Sequence, residues 1–383
     1  MPPGIRLAAA LALPLALLFA ATACERSGNL EHTAALGLPP LAVPADNPLT
    51  AAKAALGRKL FFDRRLSPNR TMSCAMCHVP EQGFTANELA TSVGIEGRGA
   101  RRNAPTVLNV AWQKRLFHDG RELTLEDQVW GPLLSANEMG NPSIGYVVER
   151  IRGIADYAGL FETAFAGKGA SAERIGAALA TYERSLTAGD SRFDRWRYGG
   201  ERSALTALEQ RGFALFSGKA RCVSCHTLGE RDALFTDHAF HNTGIGWAQS
   251  YQAPQRTRVE LAPGVHTEID GRTLATFSAP PVTDVGRYEI TLDPADRWAY
   301  KTPSLRNVAL TAPYMHDGSL GTLEAVIEFY DRGGIDNPSK SALLTPLGLT
   351  SDERAALAAF LRALTGNGVA ALVEDALRAP VGR

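Results

Sequence analysis

The chain has 383 residues, 45% hydrophobic and 21% charged, which are ordinary globular proportions and exclude disorder or low complexity as its main character. Length alone suggests two domains or one large one. Lys plus Arg and Asp plus Glu are both 40, so no basic excess points to nucleic acid and no acidic excess to a solvating tail. Five cysteines are an odd number and cannot make a complete disulfide framework.

Residues 1–24 place a single arginine, Arg6, before an apolar run from Leu7 to Ala20 and then small residues, the layout of a secretory signal. The run falls short of the roughly 20 apolar residues that a membrane span needs. Ala21-Thr22-Ala23-Cys24 resembles a bacterial lipobox, which would make Cys24 a lipid anchor; ordinary cleavage near the same point is the alternative. On either reading the chain is expected in the periplasm. Residues 25–48, with Pro39, Pro40, Pro44 and Pro48, read as a tether.

Thr50 is placed to cap a helix over Ala51–Phe62, with Leu56, Leu60 and Phe61 toward one face. A loop then leads to Cys74-Ala75-Met76-Cys77-His78. Further helices are expected at Leu125–Leu134, Tyr146–Ile154 and Ala172–Leu186. Thr206-x-x-Glu209 is a capping box that opens EQRGFALF, and a loop leads on to Cys222-Val223-Ser224-Cys225-His226. The remaining predicted helices are Leu323–Arg332 and Asp352–Leu364, the last behind a second capping box, Thr350-x-x-Glu353. No alternation persists long enough to predict a sheet, and Gly246 to about Trp298 reads as a long irregular insertion.

Two C-x-x-C-H motifs account for four cysteines, and each is the attachment motif of a c-type haem. Two thiols about one helical turn apart form thioethers to the haem vinyl groups, and the adjacent histidine becomes the proximal iron ligand. A redox dithiol would not need a histidine after both pairs, and a zinc site usually has its pairs closer in sequence. The predicted fold is therefore mostly α, with two cytochrome-c-like domains (49–199 and 200–383) joined near Gly199-Gly200, each holding one covalent haem c.

Several segments together resemble the bacterial di-haem cytochrome c peroxidase/MauG superfamily over about Leu49 to Gly366: LGRKLFFDRRLS, RNAPTVLNVAW, HDGRELTLEDQVWGPL, NEMG and SLRNVALTAPYMHDGSLGTLEAVIEFYDRGG. The resemblance implies hydrogen peroxide as substrate at the N-terminal haem, with the C-terminal haem delivering or storing electrons. It implies Gln128 and Glu138 as the distal pair there, a carboxyl being suited to take a proton from bound peroxide and return it to the leaving oxygen. Read without it, Glu138 is a surface charge at a helix end and Gln128 a solvated amide. It further implies a calcium ion held by Asn103 and the carbonyls of Thr311 and Pro313, hard oxygens that suit that cation. A small cytochrome c or cupredoxin as electron donor, or a partner protein as the oxidised substrate, and a homodimer are also implied.

Three departures from the usual family pattern stand out. Many members carry a distal histidine between the first C-x-x-C-H and RNAPT, where this chain has none from Val79 to Asn103 and Gly94-Ile95 near that place. An aliphatic side chain cannot ligate iron, so an open ferric N-terminal haem is expected. Tyr330 occupies the position where ordinary members supply a methionine to the C-terminal haem, as in MauG-like members. It continues the i, i+3, i+4, i+7 stripe of Leu323, Val326 and Ile327, and the other nearby donor is Met315. Finally, His118 replaces the tryptophan that relatives place between the haems before DGR; imidazole is a weaker station for electrons, and Trp112 or Trp130 substitutes only if folded near. His238, His241 and His316 read as hydrogen-bonding core or loop residues, with His32 in the tether and His266 in the insertion. A non-enzymatic di-haem electron carrier is the contrasting reading, but only four methionines follow the initiator to fill distal positions.

Overall fold

Thr50 begins the first helix, Ala51–Phe62, by accepting the Lys53 N–H at 3.3 Å. Leu56, Leu60 and Phe61 are buried against the helix Ala172–Ser185. The two cross at Gly57, where a side-chain carbon would lie 1.9 Å from the Ala178 carbonyl oxygen. An equivalent crossing recurs later in the chain. The helix Ala207–Ser217 meets Ser351–Arg362 at Gly212, where an added carbon would lie 2.0 Å from Ala356 O. Both crossings need a residue with no side chain because backbone packs on backbone.

This computed structural model describes residues 35–251, 257–262, 265–269 and 283–378. The signal segment, Cys24, His32 and the first part of the expected tether lie outside the described residues. Among the described residues the fold is mostly helical, with two two-stranded pairings: Phe240–His241 with Tyr300–Lys301, and the hairpin Thr257–Ala262 with Val265–Ile269.

Each half repeats one plan. A 3-10 turn carries the cysteines (Cys74–Met76 and Cys222–Ser224). PTVLNVAW and PSLRNVAL then place Asn109 and Asn307 in the left-handed region, φ 58° and 60°. The Asn109 side chain accepts the Ala188 N–H at 2.7 Å and donates to Ala188 O at 2.9 Å, while Asn307 Oδ1 accepts Gly366 N–H at 2.8 Å. Each loop is thereby stitched to the end of its half's last crossing helix. HDG follows in both, and then a Thr-capped helix starting Leu-Glu: Thr124 accepts Asp127 N–H and Thr322 accepts Ala325 N–H.

The first core gathers Phe61, Phe84, Leu133, Ile151 and Ile175. The second is aromatic, with Phe193 set 5.3 Å from Phe213, 5.3 Å from Phe235 and 5.5 Å from Phe360. Each such ring contributes about 1.5–3 kcal/mol by its burial.

Several expectations are corrected. The predicted helix Leu125–Leu134 is two pieces, Leu125–Gln128 and Trp130–Leu134, because Pro132 has no N–H for the Gln128 carbonyl. Tyr146–Ile154 is shifted to Ile144–Arg152, fixed by the Ser143 cap. The insertion is not simply irregular: it opens with the helix Ile245–Tyr251 and contains the hairpin. Residues 35–48 are not a free tether. Leu36 O accepts the Asp190 N–H, Gly37 O accepts from Ala233 N and Arg306, and Asn47 bonds Glu126, Lys53 and Ala177. The division at residue 200 is also not clean. The helix Val369–Leu377 returns to the first half, placing Val369 and Ala376 in its core and Asp375 on Arg58 at 2.5 Å.

Gly57→Ala forces the first crossing apart, and overpacking of this kind costs about 1–3 kcal/mol. Denaturant unfolding of the holoprotein should show that loss; an unchanged midpoint would mean that the crossing is not close-packed.

Candidate functional site: two facing haem clefts

The two C-x-x-C-H turns are built alike. His78 N–H bonds back to Cys74 O at 2.9 Å, and His226 N–H to Cys222 O at 2.9 Å, so each imidazole is turned away from its cysteines' backbone. His78 Nδ1 then meets Phe84 O at 3.2 Å, and His226 Nδ1 meets Phe235 O at 2.8 Å. Both phenylalanines hold left-handed backbone, φ 55° and 52°, which costs about 1–3 kcal/mol at a non-glycine residue and aims their carbonyls at the rings. A carbonyl accepts only from N–H, so the proton sits on Nδ1 and Nε2 keeps its lone pair. Burial lowers both imidazole pKa values, keeping the rings neutral as metal ligands must be.

The four cysteines are free of disulfides, half-buried, and have thiols raised by burial, Cys222 to about 12 and Cys225 to about 11. A redox dithiol or zinc thiolate calls for the opposite shift. Thiols one turn apart, each pair followed by a neutral imidazole whose Nδ1 is held by a backbone carbonyl, fit covalent haem. Cys74, Cys77 and His78 would hold one, and Cys222, Cys225 and His226 the other.

On the first cleft, Glu138 rides a tight turn in which its N–H and that of Gly140 both bond to Ser135 O, at 3.0 and 2.9 Å. Burial raises its carboxyl above the usual range, opposed by Ser135 and Arg121, and its charge is felt at Cys74 and Cys77. The carboxyl therefore belongs to the first cleft. The segment where relatives carry a distal histidine is docked on this turn. Ile95 is 5% exposed and donates its N–H to Glu138 O at 2.8 Å, and a side-chain carbon on Gly94 would lie 2.1 Å from Asn137 O. Gln128 is half-buried at the end of its short helix, and no described residue bonds its side-chain amide.

On the second cleft, the helix Leu323–Asp331 buries Leu323, Ile327 and Phe329, while Tyr330 and Val326 are half-buried. Burial raises the Tyr330 phenol, and Cys225 and Cys222 are the charges that act on it next. No described residue hydrogen-bonds its hydroxyl. Met315, also half-buried, sits in the left-handed turn before His316.

The halves meet backbone to backbone. Asn103 N–H bonds His316 O at 2.8 Å, Lys301 N–H bonds His118 O at 2.8 Å, and His118 Nε2 lies 2.9 Å from Asn103 O. Burial holds His118 down to about 4 and His316 to about 3, so both are neutral. Arg102 braces the contact by bridging Asp119 at 2.6 Å and Asp284 at 2.7 Å. Asn103 Nδ2 donates to Ala90 O at 3.0 Å, which leaves Oδ1 free, and no described donor takes the carbonyls of Thr311 or Pro313. Three neutral oxygens of this kind suit calcium.

Two groups were missed in the sequence. Glu183 is buried on Ala172–Ser185, pushed up to about 8 by burial, and its charge acts on Cys74. Its position four residues after Leu179 and eight after Ile175 put it on the apolar face, a legible signal. His241 pairs with Asp237 at 2.9 Å, and these two lie with Cys225 within 4.8 Å of one another, at the edge of the second cleft.

A family model for the di-haem cytochrome c peroxidases matches residues 51–203. The methylamine utilization protein MauG of Methylorubrum extorquens is 41% identical over 322 residues, covering 84% of this chain and 80% of that protein. The cytochrome-c peroxidase IdrP1 of Denitromonas iodatirespirans is 37% identical over 364 residues, 92% of each. A crystal structure of a MauG-like protein associated with microbial copper homeostasis superposes with a TM-score of 0.73 at 35% identity, covering 90% of this chain and 97% of that one. With both haem motifs in place and matches that run nearly end to end, the chain belongs to the di-haem cytochrome c peroxidase family, to which MauG also belongs, and is an oxidoreductase of that type.

Proposed function

We propose that the protein is a MauG-like di-haem peroxidase whose N-terminal haem meets hydrogen peroxide in the ferric state. The observation that carries this is Ile95, buried and bonded to the Glu138 turn where a sixth ligand would otherwise come from. The family replaces the carrier reading, and an open distal side also argues against it. The haem held at Cys74, Cys77 and His78 supplies the iron that binds peroxide and takes up its two oxidising equivalents.

Glu138 does the proton work. Its carboxylate takes the proton from the inner peroxide oxygen and returns it to the outer one, so that the O–O bond breaks with water as the leaving group. Burial assists by keeping this carboxyl more basic than an exposed glutamate. Gln128, half-buried and unpaired among the described residues, is free to orient the incoming peroxide. Ile95 excludes competing ligands from the distal side. His78, whose Nδ1 is fixed by Phe84 O, would ligate the iron of this haem.

Tyr330 is the residue that would hold the second haem iron, as a phenolate. Burial disfavours that phenolate unless a cation lies beside it, and ferric iron would supply one. A phenolate favours ferric and higher iron, which suits a haem that stores oxidising equivalents. Asn103 Oδ1 and the carbonyls of Thr311 and Pro313 would hold calcium. His118 separates the two clefts as a neutral, hydrogen-bonded ring and takes no proton. The export reading of residues 1–24 puts the enzyme in the periplasm, with Cys24 as the point of lipid attachment. Its electrons come from a small cytochrome c or cupredoxin, or from the oxidised residues of a partner protein.

One equivalent of peroxide added to the fully ferric holoprotein should remove both ferric EPR signals and shift the Soret band without prior reduction. No reaction until one haem is reduced would sink the open-haem reading. Glu138→Gln should slow that reaction by about 10²–10⁴-fold with the resting spectrum unchanged. The wild-type rate should also fall as pH drops through the raised Glu138 pKa, because protonation removes the base, and the Gln variant should lack that limb. Tyr330→Met should raise the reduction potential of one haem alone; an unchanged potential would remove Tyr330 from the iron.

A further inference from the structure

The short helix Ile245–Tyr251 lies against the residues that end the insertion. A side-chain carbon on Gly246 would lie 2.7 Å from the Tyr300 hydroxyl. One turn later, Ser250 Oγ accepts the Trp298 indole N–H at 2.8 Å and donates to Gly246 O at 2.8 Å. Tyr251 sets its ring 5.8 Å from that of Trp298, edge to face, and 5.3 Å from that of Trp247. Tyr251 is 64% exposed, whereas Trp298 and Tyr300 are each 8% exposed. Trp298 and Tyr300 are two residues apart, so their Cα atoms lie within about 7 Å of each other, and both border the same short helix. Tyr300 lies flat on His316, with ring centroids 3.6 Å apart and 11° between planes.

This series ends where the clefts meet. His316 O holds Asn103 N–H, and Lys301, next to Tyr300, holds His118 O. Thr302 O accepts from Thr236, which follows the Phe235 carbonyl that orients His226. Oxidisable rings thus run from an exposed tyrosine to the contact between the halves, where the sequence has His118 in place of an indole.

We propose that Tyr251, Trp298 and the Tyr300–His316 stack form a one-electron path from the surface to the inter-haem contact, and that an outside reductant delivers its electrons at Tyr251. The path rests on the peroxide reading above, which supplies the oxidant. Each oxidising equivalent draws one electron from Trp298 across the stacked rings, while the indole keeps its N–H on Ser250. Trp298 recovers that electron from Tyr251, which releases its phenolic proton to water. A one-electron donor then reduces Tyr251, water returns the proton, and every ring is restored.

The test uses the holoprotein with one equivalent of hydrogen peroxide and a nitrone spin trap, with peptide mass mapping and haem absorption read on the same sample. The path predicts a trap adduct on Tyr251 that is lost in Trp298→Phe, a variant that keeps a ring for packing, and reduced in Tyr300→Phe, which keeps the stack but removes the oxidisable phenol. Tyr251→Phe, at an exposed position, should lack the adduct and prolong the life of the oxidised state. Haem bands that respond while Tyr251 carries no adduct, or carries one unaffected by Trp298→Phe, would overturn the path alone. Such a result with the adduct instead on Trp196, whose ring packs 6.2 Å from Phe193 in the second core, would place the exit there. Haem bands that do not respond would overturn the peroxide reading and the path with it.

Discussion

The arrangement depends on two carbonyl oxygens. Phe84 O and Phe235 O each fix one imidazole by its Nδ1, and so decide where the other nitrogen points. Neither carbonyl is in regular structure; each is turned by a left-handed backbone at a buried aromatic residue. That conformation survives only where the surroundings enforce it, and here both rings are anchors of their cores. Core packing and ligand geometry are therefore the same interaction, made twice. Loosening either core would turn the His78 or His226 imidazole before it unfolded a helix.

Buried charge ties the segment before the first helix to the second half. Arg306 makes a two-pronged bond to Asp194, at 2.9 and 3.0 Å, with both side chains essentially excluded from water. The remaining guanidinium hydrogens go to the Ala233 and Gly37 carbonyls. Removing one partner of such a pair costs about 3–5 kcal/mol because the other is left buried and unpaired. Gly37 has φ 82° and leaves no room for a side chain beside Asp194, so the segment before the first helix is locked to the second half. Arg102 does the same at the other contact, on Asp119 and Asp284.

What could be read from the sequence followed from local chemistry. The C-x-x-C-H spacing, the capping boxes at Thr206 and Thr350, and the crossing helices carry their signals within a few residues. What could not be read depends on distant partners. Prolines at 39, 40, 44 and 48 suggest a tether, yet Asn47 and Gly37 find bonds more than a hundred residues away. The last helix looks like a tail and packs on the first. The repeat of PTVLNVAW, HDG and TLE as PSLRNVAL, HDG and TLE was legible and informative, since both copies adopt the same turns. It pairs His118 with His316, which a search for single motifs does not reveal.

That pairing bears on how the protein separates two kinds of traffic. Proton chemistry needs groups that can change protonation, and beside the first cysteine pair burial raises two carboxyls, Glu138 and Glu183, the latter to about 8. The contact between the halves has the reverse character. Burial holds His118 down to about 4 and His316 to about 3, and Arg102, bridged to Asp119 and Asp284, keeps the Asp284 carboxyl well below the usual range. Groups that do not change protonation pass electrons without coupled proton movement. A replacement of indole by imidazole at position 118 is tolerable in such a place, because a stacked phenol and imidazole already fill the gap with overlapping rings. Burial thus sorts the polar residues of this fold into carboxyls raised beside the first cysteine pair and imidazoles held neutral where the halves meet.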